Sequence, residues 1–195
     1  MTRDHVLPNP RRQFLGTGAM TLSAAGLTVL LGSSGAATAQ AAHGNAAQDV
    51  SLLNAAIALE HEGIAAYTIA AGSGLLQPAV VQLGVTFRGH HQRHRDELIH
   101  AVRSLGGQPA AAHSDTQYAT ELNAAALHNQ ADVLRLALRL ERGAANAYLG
   151  LIPSLSSADQ HQLVARMAGD EAFHAAILGN ALGEPIPAQG MMFGA

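Results

Sequence analysis

From residue 49 onward, the apolar positions recur at intervals of three and four, and no stretch keeps a period of two. This spacing is that of an amphipathic α-helix, so the pattern predicts an all-α domain. Clusters of glycine and proline follow each apolar stretch and mark where the helices end. We therefore expect four long helices and one short helix between the second and the third, over residues 49–71, 78–105, 118–127, 129–152 and 157–182.

The lengths of the connections predict how these helices are arranged. The first and last pairs of long helices are joined by short connections, which favour antiparallel neighbours. The connection between the two pairs is much longer and contains the short helix. The expected fold is a four-helix bundle in which two antiparallel hairpins are joined by a long crossover. Residues 43–195 would form this single domain, with an irregular tail after residue 185.

The first 42 residues have the composition of an export signal. The segment Arg11-Arg12-Gln13-Phe14-Leu15 precedes an uncharged run rich in Gly, Ala and Leu, and small residues follow around Ala37-Thr38-Ala39. The paired arginines resemble a twin-arginine signal, although Pro10 and Gly16 replace the polar residues that are common there. The apolar run is too short and too rich in small residues to predict a membrane anchor. We expect export by the twin-arginine machinery, cleavage near residue 42, and a periplasmic or cell-envelope location.

The chain that follows the signal is mildly acidic and has no cysteine. It carries eight basic and thirteen acidic side chains, a net charge of about −5. This balance does not favour binding to nucleic acid or to an anionic membrane. The whole sequence contains no cysteine and 11 histidines. Imidazole and carboxylate groups therefore have to hold any bound metal ion.

Six polar residues interrupt the apolar stripes of the four long helices, and their spacing repeats. Glu60 precedes His91 and His94 by 31 and 34 residues. Glu141 precedes a second pair, Glu171 and His174, by 30 and 33 residues. Residues three apart share a helix face, and buried carboxylates need a counter-charge, yet no arginine falls on these stripes. The pattern predicts a metal site formed by Glu60, His91, His94, Glu141, Glu171 and His174.

Other polar residues also lie near these stripes and could take part in the site. A tyrosine follows each single glutamate by seven residues, at Tyr67 and Tyr148. We expect these tyrosines to pack in the core, with hydrogen bonds to the ligating carboxylates as a second role. Glu97 and His100 form a complete Glu-x-x-His on the second helix, but they fall on its polar face and break the repeat. They are expected in solvent, and His90 is a further option for one ligand.

Taken together, these residues resemble the ferritin-like superfamily, and within it the exported ferritin-like domains related to desiccation-associated proteins. In its di-iron and di-manganese members, two helices each supply a Glu and two each supply a Glu-x-x-His. Glu60 and Glu141 match the single glutamates, and Glu171-Ala172-Phe173-His174 matches one Glu-x-x-His. The likeness covers the chain after the signal. It departs at His91, where the family pattern has Glu.

The resemblance implies an exported protein that binds one or two divalent metal ions, iron or manganese, with zinc as a further choice. It also implies oxidase or peroxide chemistry and a role in oxidative stress. Because His91 replaces a carboxylate, three glutamates remain to balance the metal charge, which favours a mononuclear or asymmetric site. The alternatives are a non-catalytic metal-binding protein and a metal-free structural stress protein. Assembly into a homo-oligomer stays open.

Overall fold

The computed structural model describes residues 40–194, with side chains from residue 45 onward. Apart from the backbone of residues 40–42, the predicted export signal lies outside the described residues. No strand occurs in the described part of the chain, and the prediction of an all-α, ferritin-like helical bundle is confirmed. The helices are α1 (Gln40–Gly72), α2 (Pro78–Ser104), α3 (Asp115–Glu121), α4 (Gln130–Leu151) and α5 (Ala158–Ala181), with short 3₁₀ turns at Ala124–Ala126 and Ile152–Ser154.

Local capping explains where α4 and α5 begin. The side chain of Asn129 accepts a hydrogen bond from the backbone N–H of Asp132 and caps α4. Ser157 and Gln160 form a capping box at the start of α5, in which each side chain pairs with the other residue's backbone N–H. At the end of α5, Gly183 takes a φ of 71°, a left-handed conformation that favours glycine.

Three predicted helix boundaries are wrong. Helix α1 begins at residue 40 instead of 49, because the alanine-rich segment before residue 49 favours helix. The crossover helix was expected at 118–127, but α3 begins at Asp115, where Ser114 caps it. It ends early because Asn123 adopts a left-handed conformation with a φ of 50°.

The helices pack as two hairpins, α1 against α2 and α4 against α5. Two of their apolar clusters lie at different levels of the bundle, with a polar layer between them, and a third cluster packs α3 against α1 and α4. The first cluster includes Leu53, Ile57, Leu98, Val102, Val164 and Met167. The second includes Tyr67, Phe87, Leu134, Leu138 and Leu178.

None of the described helices combines the length and the hydropathy that a crossing of the bilayer requires.

Candidate metal centre

The polar layer contains all six residues that the sequence pattern singled out. Each is at most 5% exposed, and Glu171 and His174 are completely buried. Each of the four long helices contributes at least one of them, so the layer joins both hairpins. The structure thus brings the six side chains together, while their role as metal ligands stays a prediction.

Four of these residues form a first group at the α1–α2 side. The Nδ1 of His91 lies 2.7 Å from Glu60 Oε2. The Nδ1 of His94 lies 3.0 Å from Glu171 Oε1 and 3.6 Å from Glu60 Oε1. The potential ligand atoms of Glu60, His91, His94 and Glu171 all lie within 4.8 Å of one another. This spacing is compatible with a single ion among them.

A second group of four overlaps the first. The Nδ1 of His174 lies 3.2 Å from Glu171 Oε2 and 3.3 Å from Glu141 Oε2. His91 turns its other nitrogen, Nε2, toward Glu141 Oε1 at 3.3 Å. The two groups therefore share Glu171, which presents one oxygen to each, and His91, which presents one nitrogen to each. A neutral imidazole has only one free lone pair, so His91 can serve only one group at a time.

The two tyrosines connect the hairpins at this layer. Tyr67 of α1 donates a hydrogen bond to Glu141 of α4, and Tyr148 of α4 donates one to Glu60 of α1. Each tyrosine therefore serves the glutamate of the other hairpin. The sequence favoured core packing as their main role. The structure shows buried rings that also fix two carboxylates.

Two residues just outside the six hold the outer nitrogens of the histidines. The Nε2 of His94 lies 3.0 Å from Asp170 Oδ2, and the Nε2 of His174 lies 2.9 Å from His90 Nδ1. Such contacts set which nitrogen of an imidazole faces inward. Sequence reasoning missed Asp170 and treated His90 as an optional ligand. A signal was present, since residues 89–94 and 169–174 share the pattern Gly-x-x-x-x-His.

Gly63 makes room for the imidazole that departs from the family pattern. A Cβ at this position would lie 3.1 Å from the His91 ring, closer than side chains normally pack. In the sequence repeat, Ala144 of α4 corresponds to Gly63, and the slimmer Glu171 corresponds to His91. The small residue of α1 thus matches the larger ring of α2, which indicates that the core is adapted to His91.

Electrostatics within the layer favours the charged form of two of its three glutamates. Burial raises the pKa of Glu60, but hydrogen bonds from His91 and His94 outweigh it, so this pKa lies below its ordinary value. Burial also raises the pKa of Glu141, and its hydrogen-bond partners, the carboxyl of Glu171 first, bring it well below the usual range. The pKa of Glu171 is raised by burial and by its contact with Glu141.

The histidines supply positive charge when no metal is bound. Burial lowers the pKa of His94, but Glu171 and Glu60 outweigh this effect and raise it to about 10. The pKa values of His91 and His174 are likewise raised, despite burial, by neighbouring carboxylates. Protons on these three imidazoles are therefore a second possible source of the positive charge that the buried glutamates need.

The donor set nevertheless fits a divalent metal ion. Carboxylate and imidazole groups together suit iron, manganese and zinc. No arginine of the described residues pairs with these glutamates. Their ionic partners are His91, His94 and His174, and a bound cation would replace the protons on these imidazoles. Metal binding at such a site has to release protons.

The competing motif on α2 does not join the layer. Glu97 and His100 are exposed, as the polar-face interpretation predicted. The structure therefore gives no support to a site completed by this Glu-x-x-His.

The fold and this layer together define the class of the protein: a ferritin-like helical bundle with a buried His/Glu cluster between its hairpins. The match to a protein family agrees. The ferritin-like domain family matches residues 48–184, and the chain belongs to this family.

A solved structure has the same fold. The chain is similar to a conserved hypothetical protein, rv2844, from Mycobacterium tuberculosis, with a TM-score of 0.60 and 26% sequence identity over 75% of this chain and 98% of that chain. No curated protein matches the chain significantly.

Proposed function

We propose that this protein is an exported metalloprotein that binds iron or manganese in the polar layer and uses it for redox chemistry with an oxygen-derived oxidant. The observation that carries the proposal is the pair of overlapping four-residue groups, buried and drawn from all four long helices. The twin-arginine pattern supports export of the protein. It resembles the signals of proteins that are exported already folded, often with a cofactor inserted beforehand.

Each part of the layer has a distinct task in this proposal. Glu60 and Glu141 would each serve one group, and Glu171, which lies between the groups with one oxygen toward each, would serve both. Because His91 can serve one group at a time, the two positions are unequal. We therefore expect one tightly bound ion and one weaker ion.

The surrounding residues keep these ligands in position. Tyr148 and Tyr67 hold the carboxylates of Glu60 and Glu141 by hydrogen bonds. Asp170 and His90 keep the inner nitrogens of the histidines directed at the layer. The apolar clusters on either side exclude water, which strengthens electrostatic interactions within the layer. A bound iron or manganese ion would supply the electrons for the redox step.

Metal analysis of the purified native protein tests the proposal most directly. We expect one to two equivalents of iron or manganese in the native protein. Glu141→Gln should lose most of this metal, whereas the matched control Glu97→Gln, at an exposed glutamate, should retain it. A native protein without stoichiometric metal, prepared without chelators, would reject the proposal.

A second candidate function is a metal-free structural protein of the cell envelope. The observation that favours it is that no buried side-chain N or O atom of the described residues lacks a partner, since the histidines and glutamates pair with one another. A non-catalytic metal-binding protein is the remaining alternative, and its reaction with ferrous ion distinguishes it from both other candidates. It would bind ferrous ion without consuming oxygen, whereas the structural protein would show the same thermal stability with and without chelator.

A further inference from the structure

An apolar cavity lies beside the polar layer. Its outer part is lined by half-buried residues of the α1–α2 connection and early α2, such as Leu76, Val80 and Val81. Its inner part is lined by the buried side chains of Tyr67 and Phe87. The only polar side-chain group of its lining is the hydroxyl of Tyr67. The cavity therefore leads from the α1–α2 end of the bundle toward the layer through apolar walls.

The inner wall of the cavity touches the candidate metal ligands. The ring of Tyr67 stacks on His91, with ring centres 5.5 Å apart, and its hydroxyl is bound to Glu141. The ring of Phe87 stacks on His174, with ring centres 4.0 Å apart. The rings of Tyr67 and Phe87 thus separate the cavity from the polar layer.

The size and polarity of the cavity decide what it can hold. The cavity volume is about 30 Å³, whereas a cavity needs roughly 10–15 Å³ to hold one water molecule. A buried water molecule also needs two to four polar partners, and the single hydroxyl here is already engaged with Glu141. A diatomic apolar molecule fits this space, whereas hydrogen peroxide would leave its hydroxyl groups unpaired.

We propose that this cavity binds a small apolar molecule, and that in the proposed reaction this molecule is dioxygen, which reaches the metal centre from the α1–α2 end. The dioxygen part rests on the proposed function. Dioxygen would accept two electrons from two ferrous ions and two protons from solvent, which yields hydrogen peroxide and two ferric ions. Hydrogen peroxide as an added oxidant would have to use another route.

Xenon tests the cavity without any metal. Crystals of metal-free protein under xenon pressure should show an anomalous peak in the cavity. Ala137→Leu, whose added carbon atoms enter the cavity from α4, should abolish the peak. Ala131→Leu is the matched control on the same helix, outside the cavity lining, and should retain the peak. Ala124→Leu, at a second lining position in the 3₁₀ turn that follows α3, repeats the test if Ala137→Leu does not fold.

Stopped-flow oxidation of the ferrous-loaded protein tests the role of the cavity. Ala137→Leu should slow oxidation by dioxygen several-fold and leave oxidation by hydrogen peroxide unchanged, and Ala131→Leu should alter neither rate. Equal effects on both oxidants, or no effect on either, would overturn the dioxygen role.

The outcomes separate this proposal from the proposed function. A wild-type protein without xenon in the cavity would overturn the binding site, even if the protein binds iron. Xenon in the cavity of a protein that binds no redox-active metal would uphold the apolar binding site, while the proposed function and the dioxygen role would both fail.

Discussion

Gly63 and His91 form the contact on which the unusual ligand set depends. Gly63→Ala would place a methyl group 3.1 Å from the imidazole, so the ring would have to shift. We expect metal affinity to fall by roughly tenfold or more. The change in the free energy of unfolding should be small, because alanine favours helix over glycine by about 1 kcal/mol and offsets the strain. Competition with a chelator measures the affinity.

Gly150→Ala is the control for this substitution. Gly150 lies in α4, and a Cβ there would meet no atom within 4 Å. This variant should gain about 0.5–1 kcal/mol in the free energy of unfolding and keep its metal affinity. Equal affinities of the two variants would contradict the role assigned to Gly63.

The role of Asp170 likewise depends on one contact, its hydrogen bond with His94. Asp170→Asn retains the shape of the side chain but removes the negative charge that faces His94 Nε2. Losses of this kind typically lower metal affinity 10–100-fold, and we expect a value in this range from isothermal titration. Asp96→Asn, at an exposed residue that pairs with Arg95, should bind metal like the wild type. An unchanged affinity of Asp170→Asn would show that His94 does not depend on this contact.

At the scale of the elements, capping and ligand placement are separate properties of α5. Ser157→Ala would remove the capping box and should cost about 1 kcal/mol of the free energy of unfolding. Metal affinity should not change, because Glu171 lies roughly 20 Å further along the helix at 1.5 Å per residue. Urea unfolding and metal titration give the two quantities. Ser51→Ala, at an exposed helical serine, is the control and should not destabilise the protein.

The helix ends show which boundaries are local properties. The predicted ends of α2, α4 and α5 differ from the observed ones by at most one residue, because proline, glycine and capping residues act within a single turn. The predicted position of α3 was wrong, because a helix of seven residues is too short to show a periodic pattern of apolar residues. Its start depends on the Ser114 cap, and its end on the conformation of Asn123.

The stability of the whole molecule should respond to pH in opposite ways with and without metal. In the metal-free fold, neighbouring carboxylates raise the pKa of His94 from 6.5 to about 10. This contribution to stability is fully present below about pH 6.5 and is lost as the pH rises toward 10. Metal binding releases protons, so metal affinity should rise over the same range.

Calorimetry at several pH values measures both effects. The melting temperature of the metal-free protein should fall between pH 7 and pH 10, while the increase caused by added metal should grow. His100→Gln, at an exposed histidine, should give the same curves as the wild type. A metal-free melting temperature that does not change with pH would contradict the charge pairing described for the layer.

Helix periodicity was enough to predict which residues line the site. The repeat of Glu60, His91 and His94 in Glu141, Glu171 and His174 identified which residues face the interior, because burial selects one face of each helix. Contacts between helices depend on how their faces meet across the bundle. The pairing of Tyr67 with Glu141, and of Tyr148 with Glu60, therefore had no signal in the spacing alone.

The sequence by itself determined the helices, their order and the polar positions on their inner faces, because helix period and capping act over a few residues. Only the tertiary structure decided that each hairpin supplies hydrogen bonds to the other's carboxylates, that Gly63 faces His91, and that an apolar cavity adjoins the layer. These features require residues distant in the chain to approach within a few ångströms, and such distances are set by the packing of whole helices.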